Sequence, residues 1–212
     1  MGKIKRDQKL NLEQSLLDEY YRVLFSRIES NKKEGVKVKS IAVTSAVGGE
    51  GKTTTIIQLA KVTARDFGKK VLLVEGDFRN PQLHLLVKNG GKSDSAILET
   101  SIKGLDVMPL EKTAKNFSGK GLSFANGLSK VIESASHSYD LVLVDCPPVI
   151  GLVDTQIIAN SVDGIILVVR ADGPNRELVA NGVEGLPKNK LLGIVFNGMK
   201  IVWPRSLYEY NY

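Results

Sequence analysis

The chain has one cysteine, Cys146, and two isolated histidines, His84 and His137. A single thiol excludes an internal disulfide and agrees with a reducing compartment. Neither histidine has a cysteine or carboxylate partner at metal-ligand spacing, so no zinc site is expected and both read as surface or packing residues. No apolar run approaches the roughly 18 residues that cross a bilayer, and no apolar stretch of signal-peptide type follows the basic N-terminus. There is no low-complexity tract and no repeat of solenoid period. These absences exclude a membrane channel, a secreted disulfide scaffold and a repeat array, and they predict a cytosolic protein.

What is present suits one α/β domain: 212 residues, 42% hydrophobic and 25% charged. The net charge is +6, with basic clusters at Lys3, Lys5, Arg6 and Lys9 and at Lys32, Lys33, Lys37 and Lys39. Aromatic residues are not interleaved with these lysines as a single-strand platform requires, so a solvated face is preferred and no nucleic-acid partner is expected. Within the single domain, residues 1–38 read as a helix and lead-in, 39–200 as a nucleotide-binding core and 201–212 as a tyrosine-containing tail.

Periodicity predicts a helix from Asn11 to about Ser30, capped by Asn11 and Gln14, with Leu12, Leu16, Tyr20, Leu24 and Ile28 on one stripe and Leu17 and Tyr21 beside it. Strands are expected at 40–45, in the run VLLVEGD from Val71, at 105–110, 141–144, 164–170 and 191–196. Helices are expected at about 52–66, 81–87, 93–100, 124–136, 154–159 and 175–186. Alternating strands and helices predict a doubly wound, mostly parallel sheet of P-loop type, flanked by helices. Ligands of such sheets sit at the carboxyl ends of the strands, where Ala46, Glu75, Asp145 and Asn197 would emerge.

The most informative stretch is IAVTSAVGGEGKTTT, from Ile41 to Thr55. An apolar strand breaks into small residues and then into a helix, the order needed for backbone N–H groups to turn around a polyphosphate at a helix N-terminus. Gly48, Gly49, Glu50, Gly51, Lys52, Thr53 and Thr54 form the candidate cofactor loop, with Ala46 where the regular pattern has glycine. Lys52 would reach the β and γ phosphates and Thr53 would join the Mg²⁺ shell. Glu50 is expected to point to solvent. Asp145, ending LVLVD, reads as the acid that organises Mg²⁺. Glu75-Gly76-Asp77-Phe78-Arg79 places two acids and a guanidinium at the end of a neighbouring strand, where one acid can hold the metal and one accept a proton. The alternative is an ordinary polar strand-to-helix loop. Cys146 reads as a small buried filler and Trp203 with Pro204 as an anchor for the tail.

SAVGGEGKTT, VLLVEGDFRNP and YDLVLVDCPPVIGLVDT, in that order, resemble the Walker A, A′ and B motifs of bacterial tyrosine kinases, the autokinase modules of capsular and exopolysaccharide export systems. The likeness extends to SVDGIILVVRA and LLGIVFNG and covers nearly the whole chain. The resemblance implies ATP and Mg²⁺ as cofactors, with Thr53, Asp77 and Asp145 as metal residues. Lys52, Glu75, Asp77, Arg79 and Asp145 would be catalytic, with Glu75 the candidate base, and Asn197 would contact adenine. Tyr208, Tyr210 and Tyr212 would be phosphoacceptors, reached between subunits. It also implies a transmembrane activator through which the domain meets the inner face of the membrane, and self-association through the helix carrying Glu19-Tyr20-Tyr21-Arg22. Glu75 stands where the family usually has aspartate, Phe25 where it shows arginine, and Val47 where the related cell-division and partition ATPases carry a second lysine. The alternatives are a nucleotide-gated scaffold that transfers little phosphate, and a positioning ATPase.

Overall fold

The computed structural model describes residues 2–30, 37–86, 95–109 and 122–199, with the side chains of 2–12 and 122–125 left aside. Seven strands, β1 (Ser40–Ser45), β2 (Val71–Glu75), β3 (Leu98–Glu99), β4 (Leu105–Met108), β5 (Leu141–Asp145), β6 (Gly164–Arg170) and β7 (Leu191–Asn197), form one sheet in the order β3-β4-β2-β5-β1-β6-β7. Every pairing is parallel except β3 with β4. The inner strands are buried on both faces, which is why they read as unbroken apolar runs.

Alternate residues feed two cores. Ile41, Val43, Val71 and Leu73 face α1 (Gly2–Ser30) and α2 (Lys52–Phe67). Ala42, Leu72, Val74, Val142 and Val144 face α3 (Leu122–Ser138), α4 (Val153–Ser161) and, at the sheet's far end, α5 (Arg176–Glu184). The result is three layers, helix on sheet on helix, with β1 central and the phosphate loop leaving its carboxyl end.

Two sequence expectations change here. The first helix is already formed at Gly2, so Asn11 lies inside it and is no cap; Gln14 instead donates from Nε2 to Asp18 Oδ1 at 2.9 Å. Its buried stripe is Tyr21, Phe25 and Ile28, whereas Tyr20 is 46% exposed. The helix is turned toward α2 because Asp18 and Arg22 pair with Arg65 and Asp66 at 2.7 and 2.8 Å, and Phe25 packs on Phe67 with ring centroids 4.6 Å apart. The helix expected near 93–100 is replaced, from Ser95 onward, by a bend and the short strand β3. Thr100 closes that hairpin, its hydroxyl donating to Leu105 O at 2.8 Å and accepting from Ile102 N at 3.0 Å. The piece near 81–87 is a 3₁₀ turn over Leu83–Leu86. Residues 31–36, 87–94, 110–121 and 200–212, the last with Trp203, Tyr208, Tyr210 and Tyr212, lie outside the described residues.

Candidate active site

The phosphate loop runs from Ala46 to Gly51 between β1 and α2. Gly49 and Gly51 hold φ of 80° and 91°, a region costly for other residues. At Gly51 there is a second reason, since a Cβ would collide with the Asn197 side chain. No side chain caps the N-terminus of α2, so its first N–H groups and dipole are free to face an anion. Around Gly48 and Gly49 a Cβ would meet nothing within 4 Å, so the loop opens outward.

Glu50 is 1% exposed, in contrast to the expected solvent-facing side chain. Its Oε2 accepts from Val47 N at 2.8 Å and its Oε1 from Arg170 N at 3.3 Å, while its own carbonyl accepts from Asn197 Nδ2 at 3.0 Å. The glutamate is an internal strut that satisfies backbone donors of the loop and of β6, a role no local motif announces. Arg170, which the sequence reading passed over, also reaches Gly49 O at 3.5 Å; its only signal is its place at the carboxyl end of a strand. Asn197 is beside the loop as expected, with its amide bonded to loop backbone.

Thr53 and Asp145 come together: Thr53 Oγ1 donates to Asp145 Oδ2 at 2.6 Å. The other carboxylate oxygen, Oδ1, is buried without a hydrogen-bond partner. Burial raises the Asp145 pKa to about 6; the Thr53 hydrogen bond and the nearby Lys52 charge oppose this, and Asp77 adds to it. An ionised oxygen with no partner beside a threonine hydroxyl fits a hard divalent ion, and Mg²⁺ takes few protein carboxylates and completes its shell with water and phosphate. Thr53 and Asp145 would hold it.

The two other acids differ. Asp77 is 7% exposed and its Oδ1 accepts from the N–H groups of Arg79 and Asn80, both at 3.2 Å. Glu75 is fully buried; its Oε2 accepts from Gln82 N at 2.8 Å and Leu83 N at 2.9 Å, and its Oε1 has no partner. Burial pushes its pKa up to about 7, opposed by those two N–H groups and reinforced by Asp145 and Asp77. Arg79 is exposed and lies over the Phe78 ring, 5.4 Å from its centroid, rather than in the Lys52–Asp145 group. Thr54 is exposed on the first turn of α2, and Lys52 is 8% exposed. Cys146 is fully buried with its thiol pushed up by that burial, as a filler should be.

Residues 38–186 match the AAA domain family. The tyrosine-protein kinase YwqD of Bacillus subtilis (strain 168) is 34% identical over 88% of this chain and 83% of its own length. The chain belongs to the bacterial tyrosine-protein kinases. Tyrosine-protein kinase CpsD of Streptococcus agalactiae serotype III (strain NEM316) is 33% identical over 85% of this chain and 82% of its own. The crystal structure of the chimerical protein CapA2B2 superposes with a TM-score of 0.70 at 27% identity, covering 85% of this chain and 84% of that one. The septum site-determining protein MinD complexed with Mg-ADP, from Pyrococcus horikoshii OT3, superposes with a TM-score of 0.52 at 26% identity over 74% and 68%. The tyrosine-kinase family and the P-loop fold expected from the three motifs are thus both found. Phe25, at the position where the resemblance implies arginine, is 3% exposed and packs in the core.

Proposed function

We propose that this chain is an ATP- and Mg²⁺-dependent protein-tyrosine kinase that phosphorylates tyrosines of its own tail between subunits and so regulates capsule or exopolysaccharide polymerisation or export. The observation that carries the reading is the buried Asp145, hydrogen-bonded to Thr53 and retaining one unpartnered oxygen beside Lys52, directly beneath an open phosphate loop. It fits the tyrosine-kinase names of the relatives.

Phosphoryl transfer asks for alignment and charge compensation more than for covalent help from the protein. The uncapped N–H groups of α2 and the Lys52 ammonium would bind the β and γ phosphates. Mg²⁺, when bound, would supply further charge neutralisation between those phosphates. A tyrosine hydroxyl oxygen from Tyr208, Tyr210 or Tyr212 of a neighbouring subunit forms the new bond to the γ phosphorus as the bridging bond to ADP breaks. Its proton passes to a carboxylate at the sheet edge, where Asp77, 7% exposed, is less buried than Glu75 and Asp145. Asn197, one amide hydrogen of which is held by Glu50 O, would present its amide oxygen and second hydrogen to the adenine edge. A membrane-spanning activator is the partner this reading calls for; no helix among this chain's described residues is long and apolar enough to cross a membrane.

The full burial of Glu75, the expected base, favours one second reading: a nucleotide-gated scaffold with slow transfer. Incubation with MgATP followed by phosphotyrosine mass spectrometry separates the two. The kinase yields label on the tail that disappears in Lys52→Met; nucleotide binding with no label, with and without a candidate activator, favours the scaffold.

A further inference from the structure

Two acids on the end of β2 close two successive turns of one loop. Asp77 accepts from the N–H groups of residues 79 and 80, and Glu75 from those of residues 82 and 83. Leu83, the far anchor, has no exposed surface and packs in the core beneath α2. We propose that Glu75 is a positioning residue: its carboxylate clamps the 78–83 segment onto the end of β2 and thereby holds Asp77, the proton acceptor, near Asp145, instead of itself taking the proton of the incoming hydroxyl.

A general base must come within about 2.6–3.2 Å of the hydroxyl it deprotonates, or reach it through one water. Oε2 of Glu75 is committed to both N–H contacts and the unpartnered Oε1 is buried with no exposed surface, so bringing either oxygen to an incoming hydroxyl requires the 78–83 segment, anchored by Leu83, to move off the end of β2. The same geometry suits glutamate at the position where the resemblance implies aspartate. One methylene spans about 1.5 Å. An aspartate on the same backbone would leave both N–H groups beyond hydrogen-bonding range, and the 82–83 turn would lie unsupported over the core. Glutamine, with the same length and a carbonyl oxygen, can accept both N–H groups. The clamp and the base therefore predict opposite rankings of Gln and Asp at this position.

The inference rests on the kinase reading for its catalytic arm only. The experiment measures, in Glu75→Gln and Glu75→Asp of the full chain, amide hydrogen exchange at Gln82 and Leu83, tail phosphorylation from MgATP, and the Mg²⁺ concentration giving half-maximal label. The clamp predicts that Glu75→Gln keeps both amides protected and loses less than about 10-fold in rate, while Glu75→Asp raises exchange by at least about 10-fold and shifts the Mg²⁺ requirement upward. A residue important only for global stability would lower the melting temperature without moving the Mg²⁺ requirement. The proposal is overturned if Glu75→Gln loses 100-fold or more, the range of a missing base, with its amides still protected. Wild-type protection of the amides in Glu75→Asp also overturns it. If the wild type itself carries no label, the kinase reading fails and hydrogen exchange alone decides the clamp.

Discussion

Ala46 takes the place of a glycine in the phosphate loop, and the molecule accommodates its methyl group from the opposite side. A Cβ on Gly182 of α5 would come within 2.9 Å of Ala46 Cβ and 3.2 Å of its Cα. Gly182→Ala should therefore destabilise the fold by about 1–3 kcal/mol through overpacking, against the small gain alanine normally brings to a helix interior. Chemical denaturation checks this, and Ala46→Gly in the same chain should restore most of the loss if the two methyls are the cause. The loop, Lys52, Thr53 and Asp145 were legible because strand, glycine and helix signals are local. Gly182 and the inward turn of Glu50 were not, because each answers a group brought near only by the folded sheet. At Asp145, binding Mg²⁺ needs the ionised form, while burial holds the pKa near 6. Mg²⁺-dependent nucleotide affinity should thus fall as pH drops below about 6, by isothermal titration at stepped pH, and Asp145→Asn should bind weakly at every pH.

Among the elements, α1 shows how an apolar pattern can leave a rotation undecided. Residues 20, 21, 24, 25 and 28 are all apolar or aromatic, and two overlapping stripes of helical period fit them. Ion pairs from Arg65 and Asp66 on α2, together with Phe67, choose the stripe of Tyr21, Phe25 and Ile28. Phe25→Ala should cost about 3–5 kcal/mol, as a large core deletion does, and Tyr20→Ala should stay within about 0.5 kcal/mol. Equal losses in urea denaturation would contradict the rotation. β3 was missed for a related reason: a strand of two residues carries almost no periodicity, and its pairing depends on the Thr100 turn.

For the whole molecule, the strand-and-helix alternation was enough to reach a parallel α/β sheet, but strand order is set by contacts between distant segments and has no local signature. That order places β2 and β5 side by side, with Glu75 and Asp145 as register partners. Two buried acids with raised pKa values give the metal-free protein a definite pH dependence. Their ordinary values are 4.5 and 3.8, and in the fold they titrate near 7 and 6. The folded state thus binds more protons than the unfolded chain across the window from about pH 4 to 7, and stability falls as pH rises through it. Denaturation midpoints from pH 5 to 7.5 should decline in the metal-free protein, with a smaller decline in Glu75→Gln.

The amide of Asn197 donates to the backbone of Glu50. The last described strand and the phosphate loop are therefore one mechanical piece, although 147 residues separate Glu50 from Asn197 in sequence. Pulling β7 outward would loosen the grip on phosphate with no change to any loop residue, and a chain that stops short of Asn197 would keep its Walker motifs but lose the shape that makes them useful.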